Sequence, residues 1–162
     1  EVGLDYHYDT TPKDMQKRYF EEQLVLAQNL DLPVIIHTRE ATEDTLKILK
    51  KYKVKGTVHC FSESVETLKE VLKMGMYISL GGAVTFKNAR KSLEVAYEVH
   101  IERLLLETDA PYMTPVPFRG KRCDSSMIKY TAEKIAEIKG VSVEFLLEQT
   151  RTNAKSLFLS KF

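Results

Sequence analysis

The chain has 162 residues, 43% hydrophobic and 29% charged, the balance of one globular domain and not of a disordered segment. A formal net charge of +1 excludes a strong global basic field, so a polyanion would have to be held by a local patch or by metal ions. No apolar run approaches the roughly 20 residues that span a bilayer, which excludes a helical membrane anchor among these residues.

The first residues are acidic and polar, unlike a secretory signal. Cys60 and Cys123 form no C-x-x-C pair and read as free thiols of a reducing, cytoplasmic compartment, or a nuclear one in a eukaryote. The chain does not begin with Met and opens inside a strand-like segment, Glu1 to Tyr6, so upstream sequence is expected to be missing.

A helix is predicted from Pro12 to Asn29, with Phe20, Leu24 and Ala27 on one stripe. Val34 to His37 reads as a buried parallel strand. A helix from Thr42 or Glu43 to Lys51 turns Leu46, Ile48 and Leu49 inward, and Gly56 to His59 is the next strand. Ser64 is a candidate N-cap for a helix ending at Lys73. Met76 to Leu80 is a strand, Asn88 to His100 a helix, and Leu104 to Thr108 the last strand. A long loop rich in Pro and Gly, from Asp109 to Asp124, precedes helices from Ser126 to Lys139 and from Ser142 to Thr150, with a final turn from Asn153 to Phe158. Strict βα alternation implies a parallel sheet with helices outside it. An open doubly wound sheet and a piece of a (β/α)8 barrel both fit, and the absence of a glycine-rich nucleotide loop counts against the first.

Four candidate metal ligands, Glu1, His37, His59 and Asp109, fall at or just inside the C-terminal end of a predicted strand. Such ends converge on one face in parallel β/α architectures. Two imidazoles and two carboxylates suit Zn²⁺, Mn²⁺ or a related ion, and a carboxylate can bridge two of them. A lone strand-end histidine is more often a hydrogen-bonded core or rim residue than a ligand, and a carboxylate after a strand is as often a helix N-cap; their coincidence on one face carries the weight. Arg39, Arg119, Lys121 and Arg122 are candidate phosphate contacts, against the plainer reading of a solvated basic loop. The Gly81-Gly82 pair could open backbone N–H groups to a phosphate, though plain tight-turn geometry is the favoured reading. Tyr6, Phe61, Tyr112 and Phe118 could stack on bases or simply pack, and Phe61 reads as core. His7 could approach the site, whereas His100 reads as a surface residue or a helix cap.

Glu1-Val2-Gly3-Leu4-Asp5-Tyr6, Pro33-Val34-Ile35-Ile36-His37-Thr38-Arg39, His59-Cys60-Phe61-Ser62, Glu107-Thr108-Asp109-Ala110-Pro111-Tyr112 and Pro117-Phe118-Arg119-Gly120-Lys121-Arg122 resemble, in order, the motifs of the TatD family of DNases. The resemblance implies that residues 1–162 are one domain holding strands four to eight of a (β/α)8 TIM-type barrel, an incomplete barrel whose first three βα units are missing. It also implies a divalent-metal-dependent hydrolase of DNA phosphodiester bonds, an exonuclease acting on single-stranded DNA or 3′ ends. Glu1 would bridge two ions (Mg, Mn or Zn), His37 and His59 would complete the site for one, and Asp109 would serve the other and help activate water. Glu1 and Asp109 are thus the expected catalytic carboxylates.

Two departures stand out. The family's His-x-His pair is absent, which would leave the second ion only Glu1 and Asp109. After Arg122 the chain has Cys123-Asp124-Ser125 where the family usually has Asn-Glu-Pro. A C–N bond hydrolase on the same cradle is the competing enzyme reading. A truncated, non-catalytic chain is the competing non-enzyme reading, and its open sheet edges would favour self-association.

Overall fold

Ile36, Val58, Ile78 and Leu104 form one row across four strands, each paired to the next in register and each at most 2% exposed. That row is the centre of the core. The computed structural model describes residues 1–8 and 10–160. Its strands are β1 (Val2–Asp5), β2 (Val34–Arg39), β3 (Gly56–Val58), β4 (Tyr77–Leu80) and β5 (Leu104–Leu106). They form one parallel sheet in the order β1-β2-β3-β4-β5. A doubly wound sheet must reverse its strand order at a switch point. This sheet never reverses, so it is the wall of a (β/α)8 TIM-type barrel, represented by five of its strands.

The helices are α1 (Lys13–Leu30), α2 (Thr42–Leu49), α3 (Val65–Lys73), α4 (Arg90–Glu98), α5 (Ile128–Lys139) and α6 (Val143–Phe158). The predicted stripe of α1 is the one it buries, Phe20, Leu24 and Ala27. Ser64 caps α3 by accepting the Thr67 N–H at 3.3 Å. The last two predicted pieces are a single helix, α6, capped by Ser142 accepting the Phe145 N–H. Asn153 explains the continuity: its buried amide donates to the carbonyls of Ile101 and Leu104 and pins the middle of α6 to the start of β5. Among the described residues no helix is long and apolar enough to cross a membrane.

The apolar run Val34-Ile35-Ile36 is not buried on both faces, as the sequence suggested. Val34 and Ile36 point into the helix layer, while Ile35 is 38% exposed. Successive strand residues face opposite sides of a sheet, so Ile35 lies on the inner side of the wall, opposite the face that Val34 and Ile36 bury against the helices.

Candidate metal centre

Alternation along the strands puts Gly3 and Asp5, His37 and Arg39, Ser79, and Leu105 on the inner side of the wall. The residues just beyond β3 and β5, His59 and Glu107, continue that pattern. Gly3 lies opposite His37 in the β1–β2 register.

Glu1 precedes β1, so it stands at the N-terminal end of its strand and not at the C-terminal end expected from sequence. It still meets the histidines. Strands of a barrel wall are tilted, and groups at one height come from different positions along their strands. Glu1 Oε1 lies 3.2 Å from His37 Nδ1 and 3.0 Å from His59 Nε2, and the two ring nitrogens are 3.0 Å apart. Among the described residues these three form the group able to hold a metal ion. Their spacing is that of ligands about 2.0–2.2 Å from a common ion. The donor set fits too: one carboxylate oxygen and two imidazole nitrogens suit a divalent cation of the zinc or manganese kind.

Asp109 does not join this compact trio. It lies in a left-handed turn (φ 53°) just beyond β5, close enough for its charge to couple to Glu107, His59, Glu1 and His37. Burial and then the Glu107 charge raise its carboxyl above the ordinary range.

Three residues to which sequence reasoning gave no role complete the surroundings. His37 Nε2, the ring nitrogen facing away from Glu1, lies 3.2 Å from Asp5 Oδ2. His59 Nδ1, likewise the outward nitrogen, faces Glu107 Oε2 at 3.6 Å, longer than a good hydrogen bond. Ser79 donates its hydroxyl to the same Glu107 oxygen at 2.8 Å. Contact with Glu107 raises the His59 imidazole against the opposing effect of burial. Burial pushes Glu107 upward, but its contacts with His59 and Ser79 outweigh this and hold it below the ordinary value. Inward alternation was the signal that could have found all three: Asp5 lies two residues beyond Gly3, and Glu107 two before Asp109.

The basic residues divide. Arg119 stacks on Phe86, 3.8 Å from the ring centroid, and donates to the Thr114 carbonyl, so its guanidinium braces its own loop. Lys121 and Arg122 are exposed, with the Lys121 amine 5.5 Å from the Phe118 ring centroid. Arg39 is exposed on the inner side and lies over Tyr8. Among the four aromatics, Phe61 is core, Tyr6 bonds Asp44, Phe118 packs on Tyr130, and Tyr112 is 70% exposed. His7 pairs with Glu40 rather than with the trio, and His100 precedes a short 3-10 turn, Ile101–Arg103. Gly82 is required by packing: a Cβ there would fall 2.0 Å from the Met113 carbonyl oxygen.

A profile described as TatD-related DNase matches residues 1–159. An uncharacterized metal-dependent hydrolase of Bacillus subtilis, YabD, is 52% identical over 161 residues, covering 98% of this chain and 63% of the relative. Its counterpart in Escherichia coli K12, YcfH, is 45% identical, covering 98% and 61%. The crystal structure of the TatD homolog YjjV from Escherichia coli superposes with a TM-score of 0.91 at 30% identity, covering 98% of this chain and 62% of that one. A TatD-family hydrolase from Entamoeba histolytica gives 0.84 at 25% identity, with coverage of 98% and 62%. The chain thus spans less than two thirds of the length of these relatives. With the profile match extending over almost every residue, and with relatives named as metal-dependent hydrolases, the chain belongs to the TatD-related DNase family of metal-dependent hydrolases.

Proposed function

We propose that the chain holds divalent metal at Glu1, His37 and His59, with Asp109 beside them, and hydrolyses phosphodiester bonds of DNA, from single strands or 3′ ends. The observation that carries this reading is the meeting of Glu1 Oε1, His37 Nδ1 and His59 Nε2 within 3.2 Å of one another. In this reading Glu1, His37 and His59 would hold one ion, and Glu1 with Asp109 would hold a second. Bound divalent metal supplies charge neutralisation of the phosphate and a water acidic enough to yield hydroxide near neutral pH.

The side chains supply the rest. Asp109 accepts a proton from the attacking water and orients it. Its partly buried position and the neighbouring carboxylates make it a better proton acceptor than a solvated aspartate. Arg39, Lys121 and Arg122 hold the phosphate backbone by charge-assisted hydrogen bonds. Arg119 serves by fixing the loop that carries Lys121 and Arg122. Tyr112, the most exposed of the four aromatics considered, offers a ring for an unstacked base. The free thiols of Cys60 and Cys123 suit a reducing, cytoplasmic compartment.

The commitment of Arg119 to its own loop leaves fewer free cations than the sequence promised, and this favours a C–N bond hydrolase as the second reading. Both are tested with chain stripped by EDTA and reloaded with Mg²⁺, Mn²⁺ or Zn²⁺. Metal-dependent release of nucleotides from a labelled single-stranded oligonucleotide, lost in His59→Ala, is the expected result. Undiminished cleavage in excess chelator would overturn the metal reading. Hydrolysis of cyclic or acylated amides with none of DNA would select the second.

A further inference from the structure

The Glu107 carboxylate is costly where it stands. Its side chain is 19% exposed, its Oε1 is buried with no hydrogen-bond partner, and it carries a charge that burial opposes. A role in packing alone would be served better by a neutral side chain of similar shape. Its other oxygen is fixed by the Ser79 hydroxyl on β4, 2.8 Å away, and faces His59 Nδ1.

Resting on the metal reading above, we infer that Glu107 is a positioning residue: anchored by Ser79, it holds the His59 ring so that Nε2 presents its lone pair beside Glu1 Oε1 and His37 Nδ1. An imidazole that ligates through one nitrogen must carry its proton on the other. A carboxylate at that other nitrogen fixes both the tautomer and the ring orientation. His59 ligating through Nε2 therefore needs its proton on Nδ1, the side Glu107 occupies. His37 shows the same arrangement with its nitrogens exchanged, Asp5 standing at Nε2 while Nδ1 faces inward. Two rings from adjacent strands thus meet one point through different nitrogens, each with a carboxylate behind it.

Calorimetric Zn²⁺ titration of chain carrying ¹⁵N-labelled histidine, with long-range ¹H–¹⁵N spectra of the zinc-loaded form, tests the inference. The wild-type spectrum is expected to show His59 protonated on Nδ1. Glu107→Ala should weaken zinc binding about 10–100-fold and shift the His59 ring nitrogens while those of His37 stay in place. Glu107→Gln, which keeps an oxygen for the Nδ1–H, should recover part of the affinity. Ser79→Ala, which frees the carboxylate without removing it, should give a smaller loss and decides the matter if Glu107→Ala does not fold. Zinc affinity and His59 signals unchanged in these variants overturn the inference and leave the metal reading standing. A wild-type chain that binds no zinc overturns both.

Discussion

The His37 carbonyl oxygen occupies the place where a side chain on residue 3 would begin: a Cβ built on Gly3 would lie 1.9 Å from it. Gly3 also has φ 151°, a backbone conformation that side chains resist. These two facts couple the strand pairing to the site, because Glu1 is carried into place two residues before Gly3. Gly3→Ala must push β1 away from β2 and take the Glu1 carboxylate with it. We expect a loss of about 1–3 kcal/mol, the usual cost of forcing extra atoms into a packed region, measured by urea unfolding. Zinc affinity should fall in parallel. A variant with wild-type stability would show that the sheet can yield there at no cost.

Metal held at the trio, as proposed, would bind the folded chain only, because Glu1, His37 and His59 come from three separate strand segments. Zinc at 100 times its dissociation constant should therefore add about 2.7 kcal/mol of stability, seen as a rise in melting temperature that EDTA reverses. His59→Ala and His37→Ala should each abolish most of this rise. A rise that survives both substitutions would place the bound zinc elsewhere on the surface.

Tyr6, Lys17 and Asp44 tie β1, α1 and α2 together. The Tyr6 hydroxyl donates to Asp44 Oδ2 at 2.7 Å, and the Lys17 amine meets the same oxygen at 2.8 Å. Lys17 first, then Tyr6, holds the Asp44 carboxyl below its ordinary value of 3.8. A depressed carboxyl stabilises the fold above its unfolded-state pKa, and this contribution disappears as the pH falls through the folded-state value. Asp44→Asn should thus cost about 1 kcal/mol near neutrality, and the gap between the two proteins should close below about pH 4. Denaturant midpoints measured from pH 7 down to pH 3 check it. A gap that widens toward acid would have the wrong sign for this cluster.

Much of this was legible in the sequence, for local reasons. The α1 stripe of Phe20, Leu24 and Ala27 and the Ser64 cap depend on neighbours a few residues away. The strand order does not: the residue pattern alone left a barrel wall and a doubly wound sheet open, the family resemblance implied the barrel, and pairings between distant segments agree with it. Ile35 was hidden in an apolar run that masks alternation. Glu1, His37 and His59 could be chosen by residue type; alternation could also have put Asp5 and Glu107 on the inner face, but which ring nitrogen each one meets depends on contacts between distant segments. Arg119 looked like a free cation because nothing in its neighbourhood in sequence announces Phe86 as its stacking partner.

Cys60 reports on the electrostatics of the same region. Burial first, then the charges of Glu107 and Asp109, push its thiol up to about 12. The thiolate is the reactive form, so at pH 8 the native thiol should resist alkylation by iodoacetamide while the unfolded chain reacts quickly. Glu107→Ala removes one of the opposing charges and should speed the native reaction. Mass spectrometry of quenched time points measures both rates. Rapid native modification of Cys60 would contradict the burial and the charge environment together.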